Sequence, residues 1–175
     1  MVETIELDEG QVLQRRGVKF TNALVVYYSR TGNTKTAAEK LATILNADLV
    51  RIMNRDNYKG IIGFIRCGFE AAMGRDAAIA DMSIDFGAYD QVVVCTPVWA
   101  GKMSSPVRSF LKKYGTSIRS VAYLITRGDA NKQYLEICSH MNALVDKSHL
   151  AAISLKGGHD LDLEKLNEFA ASLRR

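Results

Sequence analysis

Five short apolar runs, separated by stretches with helical spacing, limit what this chain can fold into more than any other feature. The first run, Ala23-Leu24-Val25-Val26-Tyr27-Tyr28, is continuous and partly β-branched, as strands buried on both faces are. Four more strands are expected over residues 48–53, 91–96, 121–126 and 150–155. Helices are expected between them. Over 35–45, Ala38, Leu41, Ala42 and Leu45 share one face. Another begins at Pro106 and carries Val107, Phe110 and Leu111, with further helices over 131–146 and 162–173. Pro97 is expected to stop the third strand. Residues 57–75 fit a helix whose broad apolar face holds Ile61, Ile65, Phe69 and Met73, although Gly60, Gly63 and Gly68 weaken it. This alternation implies an α/β fold, a doubly wound parallel sheet with helices on both faces, because parallel strands need crossover connections. Such sheets bind ligands at the carboxyl ends of their strands. The chemically unusual loops follow strands one, three and four, where that rule would put a site.

The first of these loops is Ser29-Arg30-Thr31-Gly32-Asn33-Thr34. Gly32 suits a tight strand-to-helix turn that a Cβ would hinder. Unsatisfied N–H groups at the following helix start, together with the hydroxyls of Ser29, Thr31 and Thr34, can hold a phosphate monoester. The loop is neither GxxxxGK[ST] nor GxGxxG, and its residue types are also ordinary helix caps. From the residues alone, cap and anion site stand level. After strand three comes Thr96-Pro97-Val98-Trp99-Ala100-Gly101-Lys102, with the chain's one tryptophan placed to stack on a planar heterocycle or to pack on its own protein. After strand four comes Thr126-Arg127-Gly128-Asp129.

In sequence order these three loops resemble the flavodoxin family. Tyr27 to Thr34 is similar to its [ST]-x-T-G-x-T phosphate loop, and the run from Val93 to Leu111 resembles its flavin-contacting loop and following helix. The resemblance spans residues 23–175 and implies a flavodoxin-like sheet of order 2-1-3-4-5 with FMN as the non-covalent cofactor. It further implies that Ser29, Arg30, Thr31, Gly32, Asn33 and Thr34 take the phosphate. Thr96, Pro97, Val98, Trp99, Ala100, Gly101 and Lys102 would meet the isoalloxazine ring, with Gly101 as the peptide that adjusts near N5. Thr126, Arg127, Gly128 and Asp129 would meet the pyrimidine side. The chain departs from the family at Arg127, which has no neighbouring tyrosine to cover the second flavin face; Tyr134 lies further on.

Composition narrows the rest. At 175 residues, with 47% hydrophobic and 24% charged, one domain can bury roughly 70% of its surface. Residues 1–22 lack periodicity, end in a basic stretch and are expected to extend from that domain. No run nears the ~20 apolar residues of a membrane span, and the acidic N-terminus has no signal-like apolar core. Cys67, Cys95 and Cys138 show no CxxC spacing and are expected to be buried, reduced thiols in the cytoplasm. His140, His149 and His159 are not spaced for metal, so no metal is expected. The net charge of +4 is scattered, which disfavours nucleic acid as a partner. It also sets the chain apart from the strongly acidic electron carriers of the family it resembles. Arg30, Lys35, Lys102, Arg127 and Lys132 near the rim would stabilise a reduced, anionic flavin and raise its potential. Two functions are therefore expected: electron transfer with a redox partner protein, or FMN-dependent oxidation of NAD(P)H with a quinone or similar small acceptor. A homodimer contact through residues 58–75 is left open beside their default role of covering the sheet.

Overall fold

The computed structural model describes residues 22–55, 73–158 and 161–174. Strand β1 (Ala23–Tyr27) has all five residues buried, as a strand covered on both faces must. It leads into helix α1 (Asn33–Leu45), strand β2 (Asp48–Arg51), strand β3 (Gln91–Trp99) and the two-residue strand β4 (Lys102–Met103). Helix α2 (Ser105–Tyr114), strand β5 (Val121–Arg127), helix α3 (Ile137–Val145), strand β6 (Ala152–Lys156) and helix α4 (Leu163–Ser172) complete the described elements. The main sheet is parallel, in the order β2-β1-β3-β5-β6, with β4 folded back antiparallel on β3. Leaving β4 out of the numbering, this is the expected 2-1-3-4-5.

Side-chain alternation divides the sheet between two cores. Leu24, Val26, Val92 and Val94 pack with Phe110 and Leu111 of α2 and Met141 of α3. Their neighbours Val25, Tyr27, Val93 and Cys95 face the other way, onto Ala38 and Leu41 of α1 and Leu166 and Phe169 of α4. Chain order reverses between β1 and β3, since β2 lies on the far side of β1. The crevice at the carboxyl ends of these strands is therefore the switch point where such sheets bind ligands.

Three expectations need correction, and a fourth lies largely outside the described residues. Pro97 does not stop the third strand, which pairs Pro97 with Thr126 and continues to Trp99. The Tyr28 N–H donates to the Cys95 carbonyl, so by the two-residue period Pro97 also faces β1. There β1 has already ended, and a missing N–H costs no rung. The loop expected after this strand is instead a hairpin to β4, turning at Ala100 (φ 46°) and Gly101 (φ 75°). Two left-handed central residues make it a tight turn whose twist matches that of its strands. Helix α3 starts at Ile137 rather than 131, because Tyr134 holds a left-handed φ of 58° just before it. Of the helix expected over 57–75, residues 57–72 lie outside the described residues; Met73 and Gly74 form a turn with Gly74 at φ 67°.

Of the N-terminal extension, only Asn22 is described; its N–H donates to Asp90 Oδ2 at 3.0 Å. Cys95 and Cys138 are buried, and burial pushes the Cys138 thiol up to about 11 and that of Cys95 higher still. Both stay protonated near neutrality. Cys67 lies outside the described residues. Among the described residues, no helix is long and apolar enough to cross a membrane.

Candidate functional site

The turn between β1 and α1 is shaped by its own side chains. Gly32 adopts φ 100°, a conformation that L-residues avoid, and its N–H donates to the buried Ser29 Oγ at 3.1 Å. The Gly32 carbonyl accepts the first helical bond, from the Thr36 N–H at 2.9 Å. The N–H groups of Asn33, Thr34 and Lys35 precede that bond and belong to the set a helix leaves without internal partners. No side-chain hydrogen bond caps this helix at Gly32, and its first turn holds no carboxylate. The N-cap position is a glycine with no side chain to offer, and of the loop's hydroxyls Ser29 is spent on the Gly32 N–H. Among the described residues that line the crevice, none brings a negative charge to this positive helix end.

A cleft of about 240 Å³ opens beside this turn. It is lined by Arg30, Thr31, Asn33 and Thr34 from the first loop, by Pro97, Val98 and Trp99 from β3, and by Thr126, Arg127 and Gly128 from the end of β5. The three loops singled out in the sequence therefore converge on one space. Trp99 is half-buried and meets Tyr28 edge to face, with ring centroids 5.5 Å apart, so it packs on its own protein as well as lining the cleft. Arg127 Nε donates to Ser154 Oγ at 3.2 Å and its Nη1 donates to the Asp129 carbonyl, which holds the guanidinium across the strand ends. Thr34 Oγ1 and Thr126 Oγ1 share a buried hydrogen bond at 2.7 Å that joins the first loop to the third.

Other residues picked from the sequence stand around the cleft without lining it. Ser29 and Gly32 set the shape of the turn. Thr96 is fully buried and accepts the Ser104 N–H at 3.1 Å, anchoring the start of α2. Ala100 and Gly101 form the hairpin turn, and Lys102 is exposed on β4. Asp129 is exposed, with its Oδ1 accepting the Asn131 N–H at 2.8 Å. Tyr134 does not line the cleft; the Lys132 ammonium lies 4.8 Å from its ring centre.

Gly157, which follows the last strand and was not among the expected site residues, also lines the cleft. Its N–H donates to the Arg127 carbonyl at 2.8 Å, and a Cβ there would sit 2.9 Å from Asn33 Cβ. Only glycine lets the end of β6 approach the start of α1 this closely. The Gly157-Gly158 pair directly after the last strand was the available signal.

Residues 22–145 match the family described as Flavodoxin. Among solved structures, the chain resembles a flavoprotein of Lactobacillus acidophilus in complex with FMN, at 21% identity and a TM-score of 0.67, covering 86% of this chain and 99% of that one. It also resembles a flavodoxin from the domain Archaea, at 16% identity and a TM-score of 0.57, covering 87% and 96%. A third likeness is to a WrbA-like flavodoxin of Agrobacterium tumefaciens, at 18% identity and a TM-score of 0.53, covering 87% and 91%. At these identities the likenesses speak for the fold. No curated protein matches the chain.

Proposed function

This chain belongs to the flavodoxin family, and from that premise we propose that its cleft holds FMN non-covalently and that the protein transfers electrons through it. The observation that carries this reading is the first turn of α1, uncapped, without a carboxylate and lined by Thr31, Asn33 and Thr34. That donor set fits a phosphate monoester dianion: amide N–H groups and hydroxyls supply hydrogen bonds, while Arg30 and Arg127 line the same cleft as cations. Trp99 offers an aromatic surface beside it for a planar ring. Bound FMN supplies reversible uptake of one or two electrons. The chain's own residues bind its phosphate, set the ring against β3 and limit which face a partner can reach.

A second reading is FMN-dependent oxidation of NAD(P)H with a quinone or similar acceptor. It is favoured by the end of β5, where Thr126, Arg127 and Gly128 bring no aromatic side chain into the cleft. Among the described lining residues Trp99 is the single aromatic, which leaves room for a donor to stack on the other face of a bound flavin. On either reading the cytoplasm is the proposed compartment.

The test is a flavin titration of the purified protein. FMN is expected to bind and to quench Trp99, the one tryptophan of the chain. A protein that neither takes on the absorption bands of bound flavin nor loses tryptophan emission overturns the proposal. Steady anaerobic oxidation of NADPH by the FMN-loaded protein alone, with a quinone present, selects the enzyme.

A further inference from the structure

The buried contact between Thr34 and Thr126 does more than join two loops. The two hydroxyl oxygens lie 2.7 Å apart, 92 positions apart in sequence, and both residues line the cleft while remaining almost wholly buried. Two hydroxyls sharing one hydrogen bond have two arrangements, and which one holds decides where the remaining hydrogen points. If Thr34 donates to Thr126, its hydrogen is spent inside the protein. If Thr126 donates to Thr34, the Thr34 O–H is free to donate in turn.

Resting on the FMN reading, we infer that Thr126 is a positioning residue for phosphate: it donates to Thr34 Oγ1 and thereby turns the Thr34 O–H toward the anion at the start of α1. An anion in the cleft selects this arrangement. The chain from Thr126 through Thr34 to the phosphate then runs donor to acceptor throughout, and each bond polarises the next. The surroundings hold Thr126 in place. Its strand is paired with Pro97 of β3 on one side and Leu155 of β6 on the other. The next residue, Arg127, accepts the Gly157 N–H, while Gly157 lies against Asn33. The strand end thus serves the phosphate loop, beyond any contact with the ring.

Binding constants for FMN and for riboflavin, which lacks the phosphate, test this. Thr126→Val keeps the shape and removes the hydroxyl. It is expected to raise the FMN dissociation constant about fivefold, the scale of one lost hydrogen bond between neutral groups, and to change riboflavin binding less than about twofold. Thr126→Ser should restore FMN binding. Thr34→Val should lose at least as much as Thr126→Val, and the double variant no more than Thr34→Val alone, because the two act in series. The melting temperature of each flavin-free variant shows that it folds. Equal loss for FMN and riboflavin, no loss at all, or additive losses in the double variant overturn the inference while leaving the FMN reading intact. A wild-type protein that binds neither flavin overturns both.

Discussion

At the scale of single residues, Gly32 carries the largest conformational demand of the site. Among the described residues a Cβ built there meets no atom within 4 Å, so the requirement for glycine comes from its φ of 100° and not from crowding by them. Gly32→Ala is therefore expected to cost about 1–2 kcal/mol through the backbone alone, which for a domain of this size lowers the melting temperature by roughly 2–8 °C. Thermal unfolding of the flavin-free variant measures it, and an unchanged melting temperature would show that the turn relaxes. Gly32 was legible in the sequence because its neighbours are hydroxyl and amide residues between a strand and a helix. Gly157 left only its pairing with Gly158 as a signal, because its requirement arises from Asn33, far away along the chain. Tyr134 was illegible: nothing in its residue type announces a left-handed backbone.

At the scale of elements, the strands and most helices followed from periodicity, and the β3–β4 hairpin did not. A turn of two left-handed residues usually announces itself as Asn-Gly or Asp-Gly; here it is Ala100-Gly101, with Ala100 at φ 46°. Alanine is poorly suited to that position, whereas asparagine tolerates it. Ala100→Asn is expected to stabilise the protein by about 0.5–1 kcal/mol, or roughly 1–4 °C in melting temperature. A fall would mean that the turn at Ala100 is held by something other than local preference. The site itself was partly legible for the same reason as the strands. The ends of β1, β3 and β5 converge because the sheet order places them side by side. Which residues face the cleft and which brace it, such as Thr96 on Ser104, depends on twist and hairpin geometry that no local pattern encodes.

At the scale of the whole molecule, the net charge of +4 acts on any charge that develops in the cleft. On the FMN reading, reduction adds negative charge beside Arg30 and Arg127, and the surrounding positive field favours it. Salt shortens the reach of that field from about 30 Å at 0.01 M to about 3 Å at 1 M. The midpoint potential of the bound flavin is therefore expected to fall as ionic strength rises, whereas an acidic carrier would show the opposite trend. A potential that climbs with salt, followed by spectroelectrochemical titration, would contradict this account of the charge. The crevice in which that charge resides is also protected against closure. The Cys95 carbonyl accepts the last rung from β1, and the next donor in this register would be Pro97, which has none to give. Insertions that lengthen the first strand would meet only the Pro97 carbonyl there and no donor, so extending the sheet across the opening gains one hydrogen bond fewer than at any other step.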